Sequence, residues 1–254
     1  MKWWAAARVV VLVLGVAACG GPPAPVTTPV TTPAPAGWRL VFADDFDHLD
    51  TAKWEVSTHT FDGNAARFTP SDVAVRHGVL TLSVHKRKTA DRAYAAGELR
   101  TKEFFKYGRF EVRMRAARGQ GVISSFFAYR PVPWDEIDIE FLGRKTRAAQ
   151  ANLYVSPTET PVEVTPFPAL HDLAFDAAAD FHVYAFEWDA AEIRWYVDGA
   201  LIDKSSNPGA IPSLPLRLAV NVWPSTDSTW AGHLEGGLSA GAQYDWVRVY
   251  TRAH

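Results

Sequence analysis

The sequence has very little cysteine, one residue in 254. No intramolecular disulfide can form, so packing alone must hold the folded domain together. A surplus of positive charge is also missing, since 26 Lys and Arg stand against 28 Asp and Glu. Because nucleic acids are bound mainly through positive surface charge, we expect no nucleic-acid partner. Helical periodicity is scarce as well, which leaves strands as the main structural element.

The N-terminus carries the features of an export signal. Lys2 and Arg8 precede an apolar run over residues 9–18 that is too short to span a bilayer as a stable helix. The run ends in VAAC at 16–19, which resembles the bacterial lipobox, where the cysteine becomes the lipidated first residue of the mature protein. We predict a lipoprotein signal peptide over residues 1–18 and a membrane anchor at Cys19, on the extracellular or periplasmic side. An incidental core cysteine is the alternative.

The residues that follow the cysteine form a spacer. Residues 20–37 are almost wholly Pro, Thr, Ala, Gly and Val, a composition that cannot build a core and favours extended polyproline conformations. We predict a linker over 19–37, counting the lipidated Cys19, and one folded domain over 38–254. Without the signal peptide, 24 basic groups face 28 acidic ones, a net charge of −4 that suits a neutral ligand better than a polyanion.

Strand patterns dominate the rest of the chain. They fall at 38–42, 73–76, 79–85, 108–116, 122–129, 181–188, 192–197, 216–223 and 244–250. Residues 110–116 alternate strictly between apolar and charged types, the period of a strand with one buried face. Asp198 and Gly199 predict a hairpin turn, because both readily take positive φ angles. Many short strands joined by turns predict an all-β domain, either a sandwich or a barrel.

Three carboxylates alternate with apolar residues on one of these strands. Glu136, Asp138 and Glu140 therefore share one face, above an apolar floor on the other. Like charges at neighbouring positions of one face repel, so folding alone does not favour the arrangement. Repulsion and partial burial raise the pKa of at least one member, which places a protonated acid beside an ionised carboxylate. Glycoside hydrolysis needs that pair.

Two other interpretations of the three acids stay open at this point. They could form a solvated acidic face on an edge strand, or they could share a calcium ion, since calcium prefers carboxylate oxygens. Spacing also leaves the catalytic roles open. Retaining hydrolysis requires carboxyl groups roughly 5–5.5 Å apart, whereas residues i and i+4 of a flat strand lie about 13 Å apart at Cα. The outer pair can work only if the strand curves.

The strand with the three acids belongs to the string WDEIDIEFLG at 134–143. This string resembles the active-site strand of glycoside hydrolase family 16. Matching segments flank it in the family's order: GELRTK at 97–102, YGRFEVRM at 107–114, GVISSFF at 121–127, NLY at 152–154, FHVYAFEW at 181–188 and WYVDG at 195–199. The resemblance covers residues 38–251 and identifies 38–254 as a family 16 catalytic domain.

This resemblance implies a fold and a mechanism. The fold is a jelly-roll β-sandwich of two antiparallel sheets, concanavalin A-like, whose concave sheet forms a carbohydrate cleft. The mechanism retains the anomeric configuration, with Glu136 as nucleophile, Glu140 as general acid/base and Asp138 as the residue that tunes their protonation. Curvature of the strand then brings the outer pair together. No cofactor is required for catalysis, and we expect a monomer.

Within the family the chain is most similar to bacterial lichenases, which cut mixed-linkage β-1,3-1,4-glucan. The string WDEIDIEFLG and the later NVW at 221–223 carry this similarity. It implies an endo-acting β-glucan hydrolase acting on an extracellular polysaccharide. Transglycosylation, hydrolysis of another β-glycan such as xyloglucan, laminarin or a cell-surface polysaccharide, and a non-catalytic carbohydrate-binding lipoprotein are the alternatives.

The resemblance also assigns substrate-binding positions and a metal site. The positions that fall in the cleft are Asn64, Phe68, Glu98, Arg100, Phe127, Trp134, Asn152, Tyr154, Asn221, Trp223 and Trp230. Aromatic rings offer flat apolar platforms to sugars, while amide and guanidinium groups bond hydroxyls. Family members commonly bind a structural calcium ion, and Asp245 falls where its carboxylate ligand is expected. Bacterial lichenases often have a disulfide near the first strands, which this chain cannot form.

Overall fold

Short segments with strand periodicity form β-structure throughout the computed structural model, which describes residues 34–164 and 168–253. The strands in chain order are β1 (Trp38–Asp44), β2 (Trp54–Val56), β3 (Ala66–Phe68), β4 (Val73–Arg76), β5 (Val79–His85), β6 (Tyr94–Ala96), β7 (Glu98–Phe105), β8 (Gly108–Arg115), β9 (Val122–Pro131), β10 (Trp134–Leu142), β11 (Ala148–Ser156), β12 (Ala169–Asp172), β13 (His182–Trp188), β14 (Ile193–Val197), β15 (Ala200–Ser205), β16 (Leu216–Pro224) and β17 (Ser239–Arg252). A short helix, α1 (Ser228–Ala231), and two 3₁₀ turns, Pro70–Asp72 and Pro208–Ala210, join them. In this part of the chain no helix is long and apolar enough to cross a membrane.

The strands form two sheets. The first, which we call the cleft sheet, has the order β12-β11-β10-β9-β16-β7-β2. The second, which we call the back sheet, has the order β15-β14-β13-β8-β17-β5-β6-β3, with β1 paired to β17 and β4 paired to β5. The arrangement is a two-sheet sandwich and not a closed barrel. The predicted hairpin joins β14 to β15, and Asp198 and Gly199 take φ angles of 48° and 80° at its turn.

The hydrophobic core lies between the two sheets. Phe126 of β9 meets Phe186 of β13, with ring centroids 5.5 Å apart, and Phe141 of β10 meets Tyr184 at 4.7 Å. All four side chains are fully buried. Packing of large rings at this density contributes much of the stability that a disulfide-free domain needs.

Hydrogen bonds from two side chains also cross the core and join the sheets. The indole Nε1 of Trp195 on β14 donates to the backbone oxygen of Asp138 on β10, at 2.9 Å. The hydroxyl of Tyr244 on β17 donates to the backbone oxygen of Asn221 on β16, at 2.8 Å. Buried polar groups require such partners, so these contacts fix where β10 and β16 lie against the back sheet.

The last strand of the chain has a central place in the back sheet. β17 lies between β8 and β5 and also pairs with β1. It is fourteen residues long and interrupts its register with β8 between Tyr244 and Trp246. Removal of this strand would separate β8 from β5.

Candidate active site

The three acids of β10 lie on the outer face of the cleft sheet. Glu136, Asp138 and Glu140 line a cleft, while Ile137 and Ile139 between them are at most 1% exposed and belong to the core. The alternation predicted from the sequence is confirmed. β10 is not an edge strand, because β9 and β11 pair with it on its two sides.

Glu136 is surrounded by groups that favour its ionised form. The indole Nε1 of Trp134 donates to Glu136 Oε2 at 2.8 Å. The side chain of Asp138 is also hydrogen-bonded to Glu136, and the positive charge of Arg100 lies close enough to lower its pKa. Two donors and a cation stabilise a carboxylate, which is the form that a nucleophile needs.

Arg100 is held in place by a buried acid. Its Nε donates to Glu98 Oε1 at 2.6 Å, and its guanidinium lies 5.3 Å from the ring centroid of Tyr129. Glu98 is 1% exposed and also accepts from Ser57 Oγ at 2.6 Å and from Asn221 Nδ2 at 3.1 Å. A buried carboxylate with this many donors is well ordered, so Glu98 positions Arg100 beside the cleft.

Glu140 accepts one hydrogen bond at each carboxyl oxygen. Ser125 Oγ donates to Oε1 at 3.0 Å, and Asn152 Nδ2 donates to Oε2 at 2.6 Å. A further carboxylate, Glu163, accepts from the hydroxyl of Tyr154 at 3.1 Å, and its negative charge raises the pKa of Glu140. The neighbouring charges therefore differ for the two glutamates. The negative charge of Glu140 raises the pKa of Glu136 and the positive charge of Arg100 lowers it, whereas the charge beside Glu140 is that of the anion Glu163.

The surroundings shift the pKa of all three acids upward. Burial raises the pKa of Glu136 and that of Glu140 to about 7. Burial, followed by the charges of Glu136 and Glu140, raises the pKa of Asp138 well above its usual range. Asp138 therefore holds its proton to a higher pH than an ordinary aspartate, and its protonated form can donate to Glu136. The outer pair titrates near neutrality, where one member can carry a proton while the other is ionised.

The cleft around these acids is large enough for several sugar units. Its volume is about 760 Å³. Its lining combines aromatic side chains with carboxyl, amide and guanidinium groups, from β7, β9, β10, β11, β16 and α1 and from the loops at 59–62 and 159–161. This mixture of flat apolar and hydrogen-bonding surface is suited to a carbohydrate.

The model of the family described as glycosyl hydrolases family 16 matches residues 62–248. The chain belongs to glycosyl hydrolase family 16. A β-glucanase of Acetivibrio thermocellus is 38% identical over 218 residues, which are 82% of this chain and 62% of that relative. A β-glucanase of Bacillus subtilis is 36% identical over 231 residues, 88% of this chain and 91% of that relative.

A solved structure extends the comparison to the fold. The crystal structure of a prokaryotic β-1,3-1,4-glucanase (lichenase) derived from a mouse hindgut metagenome is 35% identical to this family 16 chain. It matches with a TM-score of 0.75 and covers 82% of this chain and 97% of the lichenase. The predicted fold class, an all-β jelly-roll sandwich of two sheets, is confirmed.

Most of the predicted substrate-binding residues of this family 16 chain lie in the cleft. Those that line it are Glu98, Arg100, Phe127, Trp134, Tyr154, Asn221, Trp223 and Trp230. Asn152 is 1% exposed and reaches Glu140, so its place is beneath the cleft surface. Phe127 and not Phe126 faces the cleft, as the alternation along β9 predicts.

Two predicted contacts are corrected by the structure. Phe68 is 1% exposed and packs under His59 and Phe61, with ring centroids 5.2 and 6.2 Å away. Asn64 is 2% exposed, and its Oδ1 accepts from the backbone nitrogen of Ala66 at 2.7 Å. Neither residue lines the cleft. Pairing of β3 with β6 turns Phe68 toward the core, and the preceding loop covers it.

Sequence reasoning missed several residues of the cleft. They are His59, Thr60, Phe61, Asp62, Ser125, Tyr129, Glu159, Thr160 and Pro161. Ser125 and Tyr129 could have been found, because each lies two residues from Phe127 on the same strand face. The loop residues carry no periodicity, so nothing in the sequence pattern assigns them to a cleft wall.

One carboxyl oxygen of Asp245, the predicted calcium ligand, is engaged in an ion pair. Its Oδ2 accepts from Arg113 Nη1 at 2.5 Å, and the positive guanidinium would oppose a cation at the same oxygen. Within residues 34–164 and 168–253 no group of three or more His, Cys, Asp and Glu is arranged to hold a metal. A calcium ion at Asp245 would have to compete with Arg113, and calcium binding stays a prediction.

The predictions for the N-terminus lie outside the described residues. They concern the signal peptide over residues 1–18, lipidation of Cys19 and all but the end of the linker over 19–37. The monomeric state also stays a prediction.

Replacement of Asp138 tests its role as a donor to Glu136. Because the protonated carboxyl of Asp138 donates to Glu136, the amide of Asp138→Asn can replace this hydrogen bond, whereas Asp138→Ala cannot. We expect Asp138→Asn to keep at least about tenfold more kcat than Asp138→Ala, the value of one hydrogen bond to a charged group. Steady-state kinetics on a soluble β-glucan measure the difference. Equal losses in the two variants would contradict the donor role.

Proposed function

We propose that this chain is an endo-acting, retaining β-glucan hydrolase whose substrate is mixed-linkage β-1,3-1,4-glucan. The observation that carries the proposal is the pair Glu136 and Glu140, both with a pKa near 7, on the floor of a cleft lined by aromatic residues. The similarity to β-glucanases and to a lichenase supports the choice of substrate.

The neighbouring charges support the two roles. Near neutral pH the pair needs one ionised and one protonated member, and equal pKa values alone do not say which is which. Both glutamates accept hydrogen bonds that favour the ionised form, so the charged neighbours make the difference. Arg100 favours the ionised form of Glu136, while Glu163 favours the protonated form of Glu140. Glu136 is therefore assigned as the nucleophile and Glu140 as the acid.

The reaction then proceeds in two balanced steps. In the first, a carboxylate oxygen of Glu136 bonds to the anomeric carbon while the glycosidic bond breaks. The bond's electron pair goes to the leaving oxygen, which takes the proton of Glu140. In the second step, a water molecule gives a proton to Glu140. The water oxygen bonds to the anomeric carbon while the bond between that carbon and Glu136 breaks. Two inversions at one carbon retain its configuration.

The test is product analysis with a panel of polymers. The purified domain is incubated with barley β-glucan, laminarin, xyloglucan and agarose, and early products are followed by mass spectrometry and proton NMR. We expect short oligosaccharides from barley β-glucan whose new reducing ends are initially β. No cleavage of barley β-glucan would overturn the substrate, and initial α ends would overturn the retaining mechanism. Early oligosaccharides that grow longer during the incubation would indicate a transglycosylase instead.

Export and anchoring are part of the same proposal. A tether at Cys19 would hold the domain over residues 38–254 at the outer face of the membrane, where polymers too large to enter the cell are accessible. We expect the full chain to fractionate with membranes and Cys19→Ala to appear in the soluble fraction. The measurement is immunoblotting of cell fractions. Equal membrane retention of both forms would exclude lipidation as the anchor.

A further inference from the structure

A row of side-chain amides connects the aromatic wall of the cleft to Glu140. Trp230 Nε1 donates to Gln150 Oε1 at 3.1 Å, and Gln150 Nε2 donates to Asn152 Oδ1 at 3.0 Å. Asn152 Nδ2 then donates to Glu140 Oε2 at 2.6 Å. Gln150 and Asn152 are 5% and 1% exposed, so water does not compete for these bonds. Neither the sequence motifs nor the roles assigned above account for Gln150.

The direction of every bond in this row is fixed by its first member. An indole N–H can only donate, so Gln150 must turn its oxygen toward Trp230 and its amino group toward Asn152. Asn152 must then turn its oxygen toward Gln150 and its amino group toward Glu140. The reverse orientation of either amide would place two donors or two acceptors against each other.

Trp230 is itself held firmly. The N-cap residue Asp227 accepts from the backbone nitrogen of Trp230 at 3.1 Å, and Arg144 Nε donates to its backbone oxygen at 2.7 Å. Its ring lies 5.9 Å from that of Trp223, another member of the cleft wall. The starting point of the row is therefore anchored to the same surface that receives the substrate.

The two oxygens of Glu140 consequently have different partners. Oε2 faces an amide that is locked as a donor and cannot accept a proton from it. Oε1 faces the Ser125 hydroxyl, which can rotate from donating to accepting when the carboxyl becomes protonated. A proton on Oε1 keeps both hydrogen bonds, whereas a proton on Oε2 sacrifices one.

We propose that Gln150 is a positioning residue that locks Asn152 as a donor to Glu140 Oε2 and thereby leaves the catalytic proton on Oε1. The inference rests on the proposed function, because it assigns Glu140 as the general acid. Gln150 is well placed for this task, since it lies directly opposite Glu140 in the pairing of β10 with β11. It acts through Asn152 and does not touch the reacting atoms.

The test uses Gln150→Leu, which removes both bonds of the amide at similar volume. Asn152 can then rotate its oxygen toward Glu140, so we expect kcat on barley β-glucan to fall about tenfold or more, with little change in KM. Loss of the donor also destabilises the ionised form of Glu140. The alkaline limb of the kcat/KM profile should move to higher pH, which a merely structural role would not cause.

The other charged or titratable groups near Glu140 must be unchanged for this shift to be interpreted. They are Glu136 and Asp138 on β10, Tyr154 on β11, Glu163 after β11, and Glu98 and Arg100 on β7 across the cleft. None of them is replaced in Gln150→Leu. Trp230→Phe, which keeps a ring but loses the N–H, should shift the alkaline limb in the same direction.

A control and a double variant complete the design. Gln243→Leu replaces a hydrogen-bonded glutamine of β17 in the back sheet and should leave kcat and the pH profile unchanged. Gln150→Leu combined with Asn152→Ala should cost no more than Asn152→Ala alone, because one row carries both effects. Thermal melting confirms that each variant is folded.

The outcomes separate the two proposals. If the unmodified chain cleaves no β-glucan, the proposed function fails. If it cleaves barley β-glucan while folded Gln150→Leu keeps its kcat and its alkaline limb, only the role of Gln150 fails. Additive losses in the double variant would also overturn that role.

Discussion

Glu136→Ala is expected to lower kcat on barley β-glucan on the order of 10⁴-fold or more. The variant loses the oxygen that forms the covalent intermediate, and this single interaction cannot be replaced by water at the same position. KM should change little, because the aromatic and amide groups that line the cleft are retained. Steady-state kinetics against the unmodified chain give the ratio.

Azide provides the decisive control for Glu136→Ala. The small anion can occupy the space of the missing carboxylate and attack the anomeric carbon directly. Activity should recover with added azide, and NMR should show a glycosyl azide of α configuration, since only one inversion takes place. A β-glycosyl azide from this variant would mean that Glu136 is the acid/base, which would reverse the assignment of the two glutamates.

Glu140→Ala is expected to lower kcat about 10²- to 10⁴-fold on the polymer, the usual contribution of a general acid. An activated aryl β-glycoside needs no proton on its leaving group, so bond cleavage in that substrate should be much less affected. Azide should restore turnover of this substrate by Glu140→Ala and give a glycosyl azide of β configuration. Formation of the covalent intermediate on Glu136 still precedes the attack of azide, so two inversions take place.

The pH dependence gives a second measure of the same variant. In the unmodified chain the acid must be protonated, and the pKa of Glu140 is raised to about 7, so kcat/KM should fall as the pH rises through this value. The Glu140→Ala variant has no carboxyl group at this position that could lose a proton near pH 7, so its kcat/KM profile should lack this alkaline limb. Persistence of an unchanged limb in the variant would show that another group is the acid.

The strand with the three acids could be predicted closely from its residues. Strict alternation assigns Glu136, Asp138 and Glu140 to one face of a strand, and the register of β10 with its neighbours agrees. Alternation alone could not distinguish a strand in a cleft from a solvated edge strand. The difference depends on whether neighbouring strands pair with β10, and β9 and β11 are separate segments of the sequence. The roles of the acids came only from the resemblance to the family.

The wall of the cleft before β4 was the hardest part to predict. β2 and β3 have three residues each, too few to show a period, and β3 pairs in parallel with β6 nearly thirty residues later. Such pairing is set by tertiary contacts, so the burial of Phe68 could not be read from its neighbours. His59 and Phe61 were missed for the same reason.

The place of β17 has a consequence for how the chain folds. β17 follows all the other described strands in the sequence and joins β8 to β5 while also pairing with β1, so the back sheet cannot close before residues 239–252 are available. Until then the edges of β5 and β8 that face β17 lack a partner, and the chain has only part of its core. The rate of folding is therefore limited by contacts between distant parts of the chain.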